Sequence, residues 1–290
     1  NVRITSNVTS NGSWGYVGST YTFSPTADNA NLNVSDLQSY IRNYASVEIK
    51  TARVGGTQVG SVVFDSEVVV NKNSSSATAF VFTVTSGGEV QFNQGLSLRN
   101  ASYPYNVGYN LVVNAGGNVR VSGVVDVSGI DSNSGYGTLG PGGNVSMVIG
   151  GNLVLSGTGQ ILSDGGWESY LYTGSTSGSG GNQSYVVSGG VELQSGSLLN
   201  ASGGTGNITQ SYATVGGVGG SITISSVGGV LLRGSVLTNG GSARSGSNGG
   251  VVSISSSASY VDYAGVLNSS GGNGYSVGYP SGYGGNVSLS

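Results

Sequence analysis

From about residue 79 the chain alternates apolar and polar positions in short runs set off by Gly-Gly or a similar break, and one unit recurs. It consists of a strand, a break, a second strand, another break, a third strand and a loop of variable length. Copies read GNVSMVIGGNLVLSGTGQILSDGG from Gly143, GNQSYVVSGGVELQSGSLLNASGG from Gly181, GSITISSVGGVLLRGSVLTNGG from Gly220 and GVVSISSSASYVDYAGVLNSSGG from Gly250. Looser copies start at Phe80 and Tyr109.

Aligned, the copies are apolar in register. The first-strand positions are Leu111, Val145, Ile222, Val252 and Val287, and two residues on Val113, Met147, Ile224, Ile254 and Leu289. The second strand repeats as Val90/Phe92, Val119/Val121, Leu153/Leu155, Val191/Leu193 and Val230/Leu232, and the third as Leu96, Ile161, Leu198, Val236 and Val266. Period-two alternation gives each strand one buried face. Its recurrence unit after unit predicts like side chains stacked into ladders, as in a repeat protein.

Tandem hairpins would also alternate, but they predict two-residue turns and even spacing. The Gly-Gly marker before the second strand instead falls at Gly88, Gly117, Gly151, Gly190 and Gly229, with unequal steps between intact strands. That spacing favours an all-β parallel solenoid of three short strands per coil, with loops bulging from one corner. Glycine at the corners suits bends whose φ other residues resist. At a rise of about 4.8 Å per coil, about seven or eight coils make a rod of about 35–40 Å.

The chain divides into an N-terminal capping and first-coil region, 1–78, and the coils proper, 79–290. In the first, VSDLQSYIRNY predicts a short helix at about 35–44, with Ser35 as N-cap, Gln38 completing a capping box, and Leu37, Tyr40, Ile41 and Tyr44 on one face. SVEIKTA, GSVVFDSEVVV and TAFVFTV read as strands of the first coils. The segment NVSLS opens a further coil, which predicts an unpaired strand edge there.

Composition narrows the function classes. Glycine contributes 55 of 290 residues and charged residues 7%, yet hydrophobic residues reach 37%, so the chain can bury a core. Net charge is -3 and the nine basic residues are scattered, which argues against nucleic-acid binding. No apolar run approaches membrane-spanning length. Cysteine and histidine are absent, which removes disulfides, thiolate sites and Ser-His-Asp or Cys-His catalysis. So few ionisable groups predict stability that varies little with pH or salt.

Eleven Asn-X-Ser/Thr triplets, at Asn7, Asn11, Asn33, Asn73, Asn100, Asn144, Asn182, Asn200, Asn207, Asn268 and Asn286, are candidate N-glycosylation sites of a secreted glycoprotein. Tyrosines gather in three predicted loops. Tyr103, Tyr105, Tyr109, Trp167, Tyr170, Tyr172, Tyr275, Tyr279 and Tyr283 are the candidate interface, set against the plainer reading that they pack on their own solenoid.

Polysaccharide lyases and hydrolases are the enzymatic alternative: glycosidases need paired carboxylates, and lyases of this shape several acidic calcium ligands and a basic residue. Asp65/Glu67 on one predicted strand, Asp126/Asp131 and Asp164/Glu168 are the available pairs, each more simply read as solvated surface. Calcium-binding nonapeptides are excluded because GGTGN and GGNGY lack the aspartate ligands. Glycine-rich phosphate cradles are excluded for want of a following Lys-Ser/Thr and helix. No catalytic residue, metal ligand or cofactor is expected.

YTFSPTADNANLNVSDLQSYIRN from Tyr21, then VEIKT, GTQVGSVVFDSEVVVNKNSSSATAFVFTV and the coils, resembles the large secreted adhesins of the filamentous haemagglutinin type over residues 20–290. The resemblance implies a right-handed parallel β-helix, secretion, and roles in adhesion, surface layers or biofilm. The amino-terminal module of two-partner secretion is not recognisable. The expectation is a non-enzymatic extracellular filament or fibre subunit, its partners copies of itself joined head to tail and glycans. An adhesin segment that binds glycans or surfaces is the alternative.

Overall fold

The computed structural model describes residues 1–52, 59–72, 79–100, 108–131, 139–167, 176–206, 214–275 and 278–290. The chain is mostly β, with three sheets of stacked, parallel strands in a solenoid-like arrangement around one core. The first sheet runs, in spatial order, Gly12–Val17, Thr20–Pro25, Ser46–Lys50, Phe80–Ser86, Tyr109–Ala115, Val145–Ile149, Gln183–Val187, Ser221–Ser226, Val251–Ser256 and Val287–Leu289. The second runs Ala30–Asn33, Val2–Thr5, Val62–Phe64, Val90–Phe92, Val119–Val121, Leu153–Leu155, Val191–Leu193, Val230–Leu232 and Val261–Tyr263. The third runs Val68–Lys72, Leu96–Asn100, Val124–Asp126, Gln160–Leu162, Leu198–Asn200, Ser235–Leu237 and Val266–Asn268. Among the described residues one strand pair is antiparallel, Gly12–Val17 against Thr20–Pro25.

The inward columns follow the alternation of the sequence. Phe82, Leu111 and Val145 stack in register, as do Ile222, Val252 and Val287, and Val90, Val119, Leu153, Val191 and Val230 do so in the second sheet. Each such aliphatic residue, where enclosed, contributes roughly 1.5–3 kcal/mol. The third column needs a correction. Its buried members are Leu96, Val125, Ile161, Leu199 and Val236, with Leu267 next in register, not Leu198 and Val266. Alternation has period two, so a one-residue slip exchanges faces, and Val266 is 51% exposed.

Between Ile149's and Ile222's strands the first-sheet column carries Gln183 and Tyr185, both enclosed. Gln183 Nε2 donates to Ile161 O, Ser163 Oγ and Asn200 O, and its Oε1 accepts from the Tyr185 hydroxyl at 2.8 Å. The pair is tolerated inside because its polar atoms are hydrogen-bonded.

At the N-terminal end the helix Val34–Asn43 packs on Val68–Lys72, the terminal strand of the third sheet. Leu37 and Ile41 are buried, and Tyr40 and Tyr44 stack with Trp14 and Tyr21 of the hairpin. The N-cap is Asn33, one of the Asn-X-Ser triplets, and not Ser35: its side chain accepts from the amides of Ser35 and Asp36. The preceding strand Ala30–Asn33 runs straight into the helix, so the last extended residue takes the capping position.

Glycine serves a different purpose from the one its corner positions suggest. Among the described glycines only Gly18, Gly196 and Gly278 have positive φ. At the Gly-Gly corners the constraint is proximity: a Cβ on Gly116 would lie 2.2 Å from Gly87 O, and one on Gly150 2.4 Å from Gly116 O. The same holds where the loops leave the third sheet and return to the first. In three successive returning segments one glycine amide reaches the next returning segment: Gly142 to Ser179 O, Gly180 to Val218 O and Gly219 to Asn248 O at 2.9–3.0 Å. The following glycine crosses to its own outgoing segment, as Gly143 to Val127 O, Gly181 to Ser163 O and Gly220 to Ala201 O at 2.6–2.8 Å. The loop bases thus form a hydrogen-bonded lattice beside the core.

Candidate functional site

The expected aromatic interface is only partly brought to the surface. Tyr275 and Tyr279 are exposed, Tyr283 is 80% exposed and Trp167 is 49% exposed. Arg244 lies 4.6 Å over the ring of Tyr279, and the Trp167 amide donates to Asp131 Oδ1 at 2.7 Å. Tyr109 is not an interface residue. It occupies an inward position at 1% exposure, its ring 5.1 Å from that of Phe80. Alternation within Tyr109–Ala115 turns its side chain into the core, and burial raises its hydroxyl pKa. Tyr103, Tyr105, Tyr170 and Tyr172 lie outside the described residues.

Sequence reading passed over a second exposed group at the far end of the stack. There Tyr263, Val266, Val287 and Leu289 are exposed on the last strands of all three sheets, and Tyr260 just before one of them. Val287 and Leu289 continue the inward columns of the first sheet, in register with Val252 and Ile254.

Four of the twelve acidic residues are held by ion pairs between neighbouring coils. Arg3 pairs with Asp65, Arg99 with Asp126, Arg120 with Glu89 and Arg233 with Asp262. Asp65 and Glu67 do not share a strand face: the strand ends at Phe64 and the next begins at Val68, so both sit on the corner between. Burial resists ionisation of Asp65, but hydrogen bonds from Asn93 and Arg3 outweigh it and hold its carboxyl below the usual range. Arg3, Asp65, Gln91 and Asn93 line a polar groove of about 390 Å³ together with Asn1 and Asn29.

Asp164 differs from the other carboxyls. Burial raises its pKa to about 6, the negative Asp126 adds to the rise, and the Ser202 amide and Arg99 oppose it. Its Oδ1 accepts from the Ser202 amide at 2.9 Å and its Oδ2 from Asn200 Nδ2 at 2.8 Å. Both oxygens are therefore directed at the protein. Stability that varies little with pH is not what this residue gives, because a half-buried carboxyl must lose its proton near neutrality. Glu168, its proposed companion, lies outside the described residues. Among the described residues no group of three or more acidic side chains is placed to hold a metal, and no helix is long and apolar enough to cross a membrane.

The Asn-X-Ser/Thr triplets occupy unlike settings. Asn7, Asn11, Asn144, Asn182 and Asn286 are exposed, while Asn33, Asn200 and Asn268 are half-buried. Asn100 ends a third-sheet strand, and Asn73 and Asn207 lie outside the described residues.

These surfaces belong to a solenoid-like stack of parallel strands. No family model, no curated protein and no solved structure matches the chain, so the resemblance to haemagglutinin-type adhesins stands on the residues quoted for it.

Proposed function

We propose that the chain is a non-enzymatic structural component of an extracellular filament or cell-surface fibre, built as a right-handed parallel β-helix with three short strands per coil. The observation that carries this reading is the continuity of register. Inward columns run through all three sheets, and the glycine lattice joins successive loops beside them. A body built in this way resists bending, and its few ion pairs leave little for salt to screen.

Assembly is head to tail with copies of the same chain, through the ends of the stack and the tyrosine-rich loops. The exposed Tyr275, Tyr279 and Tyr283 support the loop contacts, since tyrosine offers large contact area at an interface. Electron microscopy and sedimentation of the purified protein across a concentration series should show fibres or a growing oligomer distribution. A stable monomer at every concentration overturns the assembly.

A second reading, an adhesin segment that binds glycans, is favoured by the polar groove around Arg3, Asp65, Gln91 and Asn93. Amides and an ion pair in one concavity suit hydroxyl recognition. A glycan array probed with the labelled protein tests it: bound sugars lost in Asn93→Ala support the groove, and an array without signal removes it.

A further inference from the structure

Two of the eleven triplets stand on adjacent rungs of one ladder. Asn144 and Asn182 are exposed and lie side by side at the start of first-sheet strands, following Asn110 in the same column. The Asn144 amide donates to Asn110 Oδ1 at 2.9 Å, the Asn182 amide to Asn144 Oδ1 at 2.9 Å, and the Ser221 amide to Asn182 Oδ1 at 3.0 Å. Each side-chain oxygen is therefore committed to the next strand, and each Nδ2 is turned away from it. No described residue accepts from Nδ2 of Asn144 or Asn182. Their third-position hydroxyls, Ser146 and Ser184, are exposed two residues along the same strand face.

Asn33 and Asn200 present the opposite arrangement. Asn33 Nδ2 donates to Ser6 O and Asn7 O, both at 3.0 Å, while its oxygen caps the helix. Asn200 Nδ2 donates to Asp164, and its oxygen accepts from Ser202 Oγ, the hydroxyl of its own triplet.

We infer that Asn144 and Asn182 form a paired attachment site for N-linked sugar on the outer face of the first sheet, and that the folded chain withholds Asn33 and Asn200. In the modification, Nδ2 forms a bond to C1 of an activated glycosyl phosphate or nucleotide sugar. The C1–O bond to the phosphate breaks, the phosphate leaves with the electron pair, and Nδ2 gives up one proton. The side-chain oxygen is untouched, so the ladder bonds at Asn144 and Asn182 persist in the product. At Asn33 and Asn200 the nitrogen that would be alkylated is the one the fold uses. The inference goes beyond the structural role proposed above and draws on the extracellular reading only for the route by which a cell would supply the sugar.

Purified folded protein should be incubated with a soluble N-glycosyltransferase and UDP-glucose, alongside short synthetic peptides carrying each triplet, and hexose mapped by mass spectrometry. Asn144 and Asn182 should be labelled in the folded protein within about tenfold of their peptide rates, and Asn33 and Asn200 suppressed by about a hundredfold or more, since they react only on local opening. Ser184→Ala should abolish label at Asn182 and leave Asn144 labelled. Silence at Asn144 and Asn182 in the folded protein overturns the inference, as does labelling of Asn33 or Asn200 at peptide-like rates. Neither result bears on whether the protein forms fibres.

Discussion

Leu198 and Leu199 are adjacent and in one strand, yet Leu199 is enclosed and Leu198 is only half-buried. Leu199→Ala should cost about 2–5 kcal/mol, and Leu198→Ala on the order of 1 kcal/mol or less. Urea unfolding of the two variants checks the register of the third column. Asp164 makes the complementary point for charge. Its pKa is raised in the folded protein to about 6, above the unfolded value, so the folded state binds the proton more tightly. The stability it contributes is fully present below about pH 4 and is lost as pH rises through about 6. Asp164→Asn removes that loss, so its urea midpoint should change less than that of the parent between about pH 4.5 and about pH 7.5. Gln183 shows why neither effect was legible beforehand: with one sequence, a polar residue in an apolar column looks like a misalignment until its partners are seen.

The helix illustrates the same limit one level up. Its existence and its buried Leu37 and Ile41 followed from the 3.6-residue period, a local property, whereas Tyr44, expected on the same helical face, is the extended residue that ends the helix. The cap did not, since Ser35 and Asn33 both satisfy capping chemistry and the choice depends on where the strand Ala30–Asn33 ends. Asn33→Ala should lower stability by about 1–2 kcal/mol, as it also loses the bonds to Ser6 and Asn7. Ser35→Ala should change stability by no more than about 0.5 kcal/mol. Thermal unfolding followed by circular dichroism separates the two.

Across the molecule, the glycine lattice decides how the loops sit on the stack. Gly143→Ala would place a Cβ 1.6 Å from Tyr109 O, against backbone that cannot move without displacing a neighbouring strand. The expected cost is about 3 kcal/mol or more. Gly15→Ala, with nothing within 4 Å of the added carbon, should be neutral or stabilising by up to about 1 kcal/mol. Denaturant titrations of both variants test whether glycine is required for proximity.

Alternation and the recurrence of Val, Ile and Leu at matching positions were enough to predict stacked parallel strands and most inward columns. Both express a backbone period that each segment carries alone. The slip at Leu198 and Val266, the core position of Tyr109, the proton affinity of Asp164 and the division among the asparagine triplets required the tertiary structure. Each depends on which atoms of a neighbouring strand lie a few ångströms away, and that distance is set by the packing of distant segments.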